Sequence, residues 1–303
     1  MTFLSRPLSA EADISRMAAL ACQQPEDNLH GVDLPYRLSS WALDDPENAR
    51  LWFDGDHELA AWAVTNSPFW TVDVVCRPNV EEDLHPEVMA WADSRLRAIS
   101  GTPYGHPCWF VYVFSSQTNR IRAVERLGFA RQGDVGENSP SKVLMRRSGS
   151  DPVRIYPPPP GFTVRPLRGE AEVESYVDLH RAVFESRNMT VDWRKRTLRQ
   201  PEYQPDLDIV VETSDGRLGA FCICWLDKAL QAGRVEPLGC HKDFRRYALG
   251  RVALSAGLRR LQTLGAKNIY VETDNWRNTA FLLYQSFDFQ VIREVLEFRK
   301  DYP

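Results

Sequence analysis

Residues 235–254 read VEPLGCHKDFRRYALGRVAL, and this stretch decides how the chain is interpreted. Residues 235–241 predict a buried strand, and apolar residues that recur at helical spacing from Leu249 onward predict a helix that ends at Gly265. The junction carries three arginines, Arg245, Arg246 and Arg251. Helix N–H groups and the positive end of the helix dipole suit a pyrophosphate there, but a plain structural turn of this composition is equally common. The stretch therefore predicts a strand, a basic turn and a helix, with an anion site as one of two interpretations.

Composition places the chain among globular proteins with two domains. It has 303 residues, of which 43% are hydrophobic and 26% charged, and a domain usually holds about 100 to 200 residues. No run approaches the roughly 18 apolar residues that span a bilayer. Arg6, Glu11 and Asp13 interrupt the start of the chain, where a signal peptide needs an apolar core. We therefore expect a cytoplasmic protein without a membrane partner.

Charge and cysteine usage exclude further classes of protein. The net charge is −4, with 14 basic and 20 acidic residues in 1–150 and 23 basic and 21 acidic residues in 151–303. Neither half is basic enough to coat nucleic acid, and the second half suits an anionic ligand better than the first. The six cysteines lack metal-ligand spacing, so we expect reduced thiols and no metal. Four histidines also lack metal-ligand spacing, and we expect them at the surface or in loops. They are His30, His57, His85 and His106.

The chain contains an internal repeat. Phe3, Arg6, Pro7 and Leu8 recur 159 positions later as Phe162, Arg165, Pro166 and Leu167. Between the copies, residues 148–161 include the four-proline run 157–160, which favours a stiff, extended linker. We therefore predict one domain over 1–147, a linker over 148–161 and a second domain over 162–303.

Strand and helix patterns alternate along the second copy. Strands are predicted at 162–166, 207–211, 218–226, 235–241, 268–273 and 291–298. Helices are predicted near 173–184, from Leu249 to Gly265 and at 279–286. This order predicts a mixed, three-layer α/β (α+β) arrangement.

Several ordered motifs of the second copy resemble the GNAT superfamily of acyl-CoA-dependent N-acetyltransferases. They comprise residues 236–241 and 245–254, Val271-Glu272-Thr273, Asn278, Ala280, Tyr284 and Phe289. The resemblance covers 162–300 and, in degenerate form, 3–147. It implies two tandem GNAT-like domains, each a mostly antiparallel, splayed sheet flanked by helices. In the family's pyrophosphate loop, Arg245 takes the first position and Gly250 the last, and Ala248 replaces the first glycine.

The resemblance also implies acetyl transfer from acetyl-CoA to an amine without a covalent intermediate. Tyr284 matches the family's general acid, which protonates the leaving thiolate, and a packed core aromatic is the alternative role. Glu236 is the candidate base, with neutralisation of nearby arginines as the alternative. The backbone N–H of Gly239 or Cys240 lies in the stretch that stabilises the oxyanion in the family.

The implied acetyl-CoA contacts lie along the basic turn and near Tyr284. They are Cys240, His241, Arg245, Arg246, Tyr247, Ala248, Leu249, Gly250, Arg251, Asn275, Asn278 and Phe281. Asn278 matches the asparagine that holds the pantetheine arm, and Asn275 is a possible substitute. Four residues fall in the region that contributes to the acceptor site in the family, although surface placement is more common for each, namely His180, Arg187, Asp192 and Trp193.

The first copy serves as an internal comparison. Residues 71–76 correspond to the strand before the basic turn, and three carboxylates replace the arginines, those of Glu81, Glu82 and Asp83. Val124 aligns with Tyr284. Because carboxylates repel a pyrophosphate, we expect the first copy to keep the fold and to have lost the cofactor site.

Two functions stay open from the sequence. The first is an acetyl-CoA-dependent N-acetyltransferase, a monomer or homodimer, that acts on a small-molecule or peptide amine with its second domain. The alternative is a non-catalytic acyl-CoA-binding or protein-interaction module, which Ala248 and the degenerate first copy favour. The pairing of Tyr284 and Glu236 with a basic turn favours the enzyme.

Overall fold

The computed structural model describes residues 2–132, 142–275 and 278–302. The chain divides into two compact units. The first comprises Met1–Leu144, Glu272–Asn278 and Ile292–Pro303, and the second comprises Met145–Val271 and Thr279–Val291. Each unit is therefore built mainly from one copy of the repeat, and the first also takes in two segments from near the end of the chain. The predicted domain bounds stay a prediction.

The first unit is a sheet flanked by helices. Its strands are β1 (Leu4–Pro7), β2 (Ala49–Phe53), β3 (Leu59–Asn66), β4 (Thr71–Cys76), β5 (Cys108–Phe114) and β6 (Ala130–Arg131). Its helices are α1 (Glu11–Cys22), α2 (Leu34–Leu38), α3 (Glu81–Ile99) and α4 (Thr118–Arg126). The strand order is β1-β2-β3-β4-β5, and the last strand of the chain, β13 (Gln290–Asp301), follows β5. All these neighbours are antiparallel except β4 and β5, which are parallel.

The second unit repeats this plan. Its strands are β7 (Lys142–Ser148), β8 (Phe162–Pro166), β9 (Asp208–Thr213), β10 (Leu218–Asp227), β11 (Ala232–Cys240) and β12 (Asn268–Asp274). Its helices are α5 (Val173–Phe184), α6 (Val191–Leu198), α7 (Leu249–Thr263) and α8 (Asn278–Gln285). Strands β8 to β11 pair antiparallel in chain order, and β12 adds parallel to β11. The strands and helices predicted for the second copy are confirmed to within a few residues.

Helices cover both faces of the second sheet. Gly257 of α7 lies so close to β10 that a Cβ on it would stand 3.1 Å from Cys222 Sγ. Tyr176 of α5 packs against Phe221, with ring centroids 5.2 Å apart. Because neighbouring residues of a strand point to opposite faces, α5 and α7 lie on opposite sides of β10. The predicted mixed, three-layer arrangement is confirmed.

In both units the parallel strand pair separates soon after it forms. The pairing of β11 with β12 ends at Arg234 and Tyr270, and that of β4 with β5 is confined to Thr71 and Phe110. The predicted splayed sheet is therefore confirmed. Among the described residues, the register of β11 with β12 does not continue beyond Arg234 and Tyr270.

The segment rich in proline is packed along α7. Gln262 donates a hydrogen bond to the carbonyl of Gly149 (2.6 Å), and the Ser255 hydroxyl donates to the carbonyl of Arg154 (2.8 Å). A Cβ on Gly149 would stand 1.7 Å from the carbonyl oxygen of Ala266, so only glycine fits there. The segment is thus a fixed part of the second unit.

Three residues that were expected at the surface or in loops are buried. His85 lies within α3 and is 4% exposed, and burial lowers its pKa to about 3. His180 of α5 and Trp193 of α6 are 7% and 1% exposed. The expectation of surface or loop placement is wrong for these residues, because each lies on the side of its helix that faces the core. Arg187 and Asp192 are exposed, as expected.

Candidate active site

The basic turn of the second unit forms a helix start. Residues Lys242–Tyr247 make a 3₁₀ turn. Ala248 follows with φ 55° and ψ 29°, the left-handed conformation, and α7 begins at the next residue. Leu249 and Gly250 occupy the first turn of α7, where N–H groups have no acceptor within the helix, and the N–H of Gly250 contacts the Cys240 thiol. The predicted helix-start geometry is therefore present.

The side chains of this turn supply positive charge. Arg245 and Arg246 of the turn and Arg251 of α7 are all exposed, so an anion in solution can reach them. The guanidinium of Arg246 donates to the hydroxyl of Tyr247 (3.0 Å), which holds it beside the turn. Nδ1 of His241 accepts from the N–H of Asp243 (3.3 Å) and caps the turn at its other end. The turn is thus ordered by its own side chains and keeps its cationic groups accessible.

Cys240 lies against the first turn of α7. Burial raises the pKa of its thiol, while the N–H of Gly250 and the charge of Arg245 act to lower it. The thiol is therefore protonated at neutral pH and packs as part of the wall of the turn. A Cβ on Gly250 would stand 4.0 Å from Cys240 Cβ and 3.9 Å from Leu283 Cδ2, which are ordinary van der Waals distances.

The register of β11 decides which of its N–H groups face the split from β12. The N–H of His241 donates to the carbonyl of Gly219 on β10 (2.9 Å). Because N–H groups alternate sides along a strand, that of Gly239 also faces β10, whereas those of Leu238 and Cys240 face the split. Of the two predicted oxyanion donors, Cys240 has the required direction and Gly239 does not. Leu238 has it as well and was missed, because direction follows from register.

Gly239 is required for packing instead. A Cβ on this residue would stand 2.5 Å from Phe221 Cζ and 2.7 Å from Val183 Cγ1 of α5. Real Cβ atoms do not approach so closely, so α5 packs directly on the backbone of β11 here. This glycine therefore sets the distance between α5 and the strand that borders the split.

Tyr284 is a buried residue of α8. It is 6% exposed, and its ring packs edge-on against Phe289 with centroids 5.7 Å apart. Burial raises the pKa of its hydroxyl well above the usual value, the charge of Glu236 adds to this, and that of Arg234 opposes it. The phenol therefore stays protonated at neutral pH, which is the state that a proton donor needs.

Glu236 lies in a bulge of β11. One residue of β10, Ile223, faces two residues of β11, Glu236 and Pro237, so β11 has a bulge at this point. Burial is the main cause of the raised pKa of Tyr284 and Tyr176, and the charge of Glu236 raises both further. Glu236 is half-buried, and its joint role with Tyr284 stays a prediction.

The remaining predicted cofactor residues are distributed over both units. Phe281 is half-buried on α8. Asn275 and Asn278 belong to the segment Glu272–Asn278 of the first unit. Asn278 begins α8, but its side chain lies outside the described residues. Their contacts with a cofactor stay predictions.

The segment before the second copy adds residues that the motifs did not indicate. Tyr156 packs against Phe287, with centroids 5.5 Å apart. The guanidinium of Arg251 lies 6.0 Å from the centroid of the Tyr156 ring, and that of Arg154 lies 5.1 Å from it. A further basic residue and an aromatic ring therefore border α7 beside the turn. No motif reveals this, because it depends on how the segment docks.

Of the residues predicted near the acceptor site, Arg187 lines a cavity. The cavity has a volume of about 530 Å³ at the end of α5, and Arg181 and Glu185 also line it. His180 stacks on Phe221 in the core, with ring centroids 5.8 Å apart. The end of α5 is therefore open to small molecules, whereas its middle is closed by packing.

Comparison with known proteins gives a family match for the second copy and similar folds for the whole chain. Residues 173–289 match the Acetyltransferase (GNAT) family. The chain is similar to a GCN5-related N-acetyltransferase from Sphaerobacter thermophilus (20% identity, 99% of this chain and 96% of that chain, TM-score 0.63). It is also similar to a tandem GNAT protein from the clavulanic acid biosynthesis pathway (12% identity, 99% and 98% covered, TM-score 0.67). A third is an acetyltransferase described as putative from Pyrococcus horikoshii (11% identity, 99% and 90% covered, TM-score 0.59).

At such identities the solved structures establish the fold, and the family match concerns the second copy. Comparison with curated proteins gave no significant match. In the part of the chain that the structure describes, no helix is long and apolar enough to cross a membrane. The motifs, the family match of the second copy and the solved structures that cover the whole chain agree on the fold. Residues 173–289 thus match the Acetyltransferase (GNAT) family, and the whole chain shares the fold of a tandem GNAT protein.

Proposed function

We propose that the second unit is an acetyl-CoA-dependent N-acetyltransferase that transfers the acetyl group directly to an amine. The fold supports acyl transfer in general. The proposal specifies acetyl-CoA as the acyl donor, an amine as the acceptor and the second unit as the catalytic one. One observation carries it. The split of β11 from β12 opens after Arg234, and the basic turn follows at the end of β11.

The basic turn fits the diphosphate of acetyl-CoA. Its exposed arginines supply positive charge, and the N–H groups of Leu249 and Gly250 lie at the positive end of the α7 dipole. Gly250 leaves the space that a close approach of phosphate oxygens needs. Acetyl-CoA supplies an acetyl group activated as a thioester, and the turn holds the end of the molecule remote from it.

Residues of β11 and α8 supply a base, N–H donors for the oxyanion and a proton donor for this reaction. Glu236 takes a proton from the ammonium form of the acceptor, directly or through water, so that the free amine forms a C–N bond to the thioester carbon. The N–H groups of Leu238 and Cys240 stabilise the negative charge that develops on the carbonyl oxygen. As the C–S bond breaks, Tyr284 protonates the sulfur. The second proton of the nitrogen restores Tyr284, and Glu236 releases its proton to water.

The test is release of the CoA thiol in the presence of amines. The full chain is incubated with acetyl-CoA and a panel of small amines and peptides, and free thiol is followed with a chromogenic disulfide. We expect saturable, amine-dependent release. Ala248 favours the second candidate, a non-catalytic acyl-CoA-binding module, because its Cβ lies on the turn where the family has glycine. CoA binding without thiol release on any amine would favour that module.

Gly250→Ala is expected to weaken CoA binding about tenfold, or about 1.4 kcal/mol. The new Cβ would lie at van der Waals distance from Leu283 and Cys240 (3.9 and 4.0 Å), so the fold accepts it. It would, however, stand between the first turn of α7 and the phosphate oxygens. Titration calorimetry with CoA measures the change.

Thermal denaturation supplies the control for this variant. Gly250→Ala should not lower the melting temperature, since alanine favours a helix interior over glycine by about 1 kcal/mol. Gly257→Ala lies in the same helix but would put a Cβ 2.7 Å from Cys224 Sγ, so it should destabilise the fold instead. Unchanged CoA affinity in Gly250→Ala would show that the diphosphate does not bind at this turn.

A further inference from the structure

The first unit has a cavity where the second unit has its basic turn. The cavity has a volume of about 420 Å³, which suits a small organic molecule. It is lined by the end of β4, the first turn of α3, the start of α4 and the end of α1. Since β4 leads into α3 as β11 leads into α7, the two sites correspond in the repeat.

The wall of this cavity is acidic. It carries the carboxylates of Asp27, Glu81 and Glu82, and a single guanidinium, that of Arg120. Nε and Nη2 of Arg120 donate to the two oxygens of Glu81, at 2.8 Å each, so these charges cancel. Asp27 is half exposed and lies 3.3 Å from Arg293. Glu82 is exposed, and no ion pair of Glu82 occurs among the described residues. Because Arg293 compensates Asp27, the excess negative charge of the cavity is that of Glu82.

Asn28 adds a buried hydrogen-bond acceptor to the same wall. It is 8% exposed and lines the cavity. Its Nδ2 donates to the carbonyls of Ala21 (3.1 Å) and Gln24 (3.3 Å) at the end of α1. Its Oδ1 is buried without a hydrogen-bond partner. An unsatisfied buried acceptor is costly, so this oxygen points to a donor that the protein does not supply.

We propose that this cavity binds a small organic ammonium ion, a primary amine or diamine. An ammonium group supplies both a positive charge for Glu82 and an N–H donor for Oδ1 of Asn28. A diphosphate does not fit, because Arg120 is already bonded to Glu81 and carboxylates occupy the start of α3. The described residues also hold no group of three His, Cys, Asp or Glu that suits a metal ion. The two copies of the repeat thus carry sites of opposite charge at corresponding positions.

The experiment titrates the full chain with putrescine by calorimetry at low ionic strength. Butane-1,4-diol, which has the same length without charge, is the control ligand. We expect saturable binding of putrescine and none of the diol. Glu82→Gln should weaken putrescine binding about fivefold, as expected for one exposed charge, and Asn28→Ala about tenfold or more.

Asp83→Asn is the matched control variant. Asp83 is the next residue of α3 and shares the helix start, but it does not line the cavity. It should leave the affinity for putrescine unchanged, which separates ligand binding from the favourable effect of acids on the helix dipole. Should Asn28→Ala fail to fold, Glu82→Gln carries the test, because its side chain is exposed.

Hydrogen exchange locates the bound amine. We expect putrescine to protect amides of residues 20–28 and 116–120 in the first unit. Protection confined to the second unit, with Glu82→Gln binding as the parent does, would overturn the proposal and place the amine at the acceptor site. Absence of binding at millimolar putrescine would overturn it too. Neither result bears on acetyl transfer, since CoA binding and thiol release are measured separately.

Discussion

Replacement of Tyr284 by phenylalanine is expected to lower kcat for acetyl transfer about 10²–10⁴-fold, the usual contribution of a positioned proton donor. The affinity for CoA should stay unchanged, because the hydroxyl acts on the sulfur only as the C–S bond breaks. kcat and kcat/KM should therefore fall together. Initial rates of thiol release at varied acetyl-CoA and saturating amine measure both constants.

The fold should tolerate this change. The ring of Tyr284 keeps its packing against Phe289, and only the hydroxyl is lost. Tyr156→Phe is the control, since Tyr156 packs against Phe287 in the same unit and has no part in the proposed chemistry. Tyr156→Phe should keep the parent rate. A Tyr284→Phe variant that is as active as the parent would assign Tyr284 to the packed core alone.

Asp208→Asn is expected to lower the free energy of unfolding by about 3–5 kcal/mol, the usual cost of removing one partner of a buried ion pair. Asp208 of β9 and Arg194 of α6 form an ion pair in which both side chains are fully buried. The Tyr203 hydroxyl also donates to Asp208 (2.8 Å), and the guanidinium lies 3.9 Å from the ring centroid of Tyr176. The variant leaves the charge of Arg194 buried without its counterion. Urea denaturation followed by tryptophan fluorescence measures the loss.

Two further variants make this prediction specific. Asp206→Asn, two residues earlier and exposed, should change stability by less than about 0.5 kcal/mol. The double variant Arg194→Met, Asp208→Leu should be more stable than Asp208→Asn, because Nε and Nη1 of Arg194 and Oδ1 of Asp208 lack hydrogen-bond partners even in the parent. A single variant as stable as the parent would show that the pair is not buried in solution.

Local features of the fold were predictable from the sequence because nearby residues determine them. The apolar residues of α7 recur at helical spacing, and Gly265 ends the helix with φ 88°. A proline cannot donate to a strand ladder, and the bulge of β11 lies at Pro237. The repeat likewise placed β4 at the position that corresponds to β11. Each of these predictions rests on short-range sterics or periodicity.

Features that depend on strand pairing were not predictable. Residues 291–298 predict a strand, but their sequence does not indicate which strand pairs with it. In the structure β13 pairs with β5, from Val295 opposite Phe114 to Asp301 opposite Cys108. The direction of the Gly239 N–H depends on pairing in the same way, since it follows from the register with β10. The docking of the proline-rich segment on α7 is also a tertiary contact. The sequence therefore indicated which residues to consider, and the pairing decided their directions.

The histidines illustrate a different limit. His85 and His180 carry polar rings, and composition alone favours exposure for both. Burial lowers the pKa of each to about 3, so both rings are neutral at physiological pH. A neutral imidazole packs well beside aromatic and aliphatic groups, which is how His180 stacks on Phe221. Their helical positions, and not their polarity, decided where they lie.

The most direct test compares CoA with pantetheine, which lacks the diphosphate and the nucleoside, by titration calorimetry on the full chain. If the turn from Arg245 to Gly250 holds the diphosphate, CoA should bind at least about 100-fold more tightly, as two charge-assisted hydrogen bonds allow. The double variant Arg245→Ala, Arg246→Ala should then lose most of that difference. Equal binding of CoA and pantetheine, or a double variant that binds CoA as tightly as the parent, would contradict the assignment of this turn.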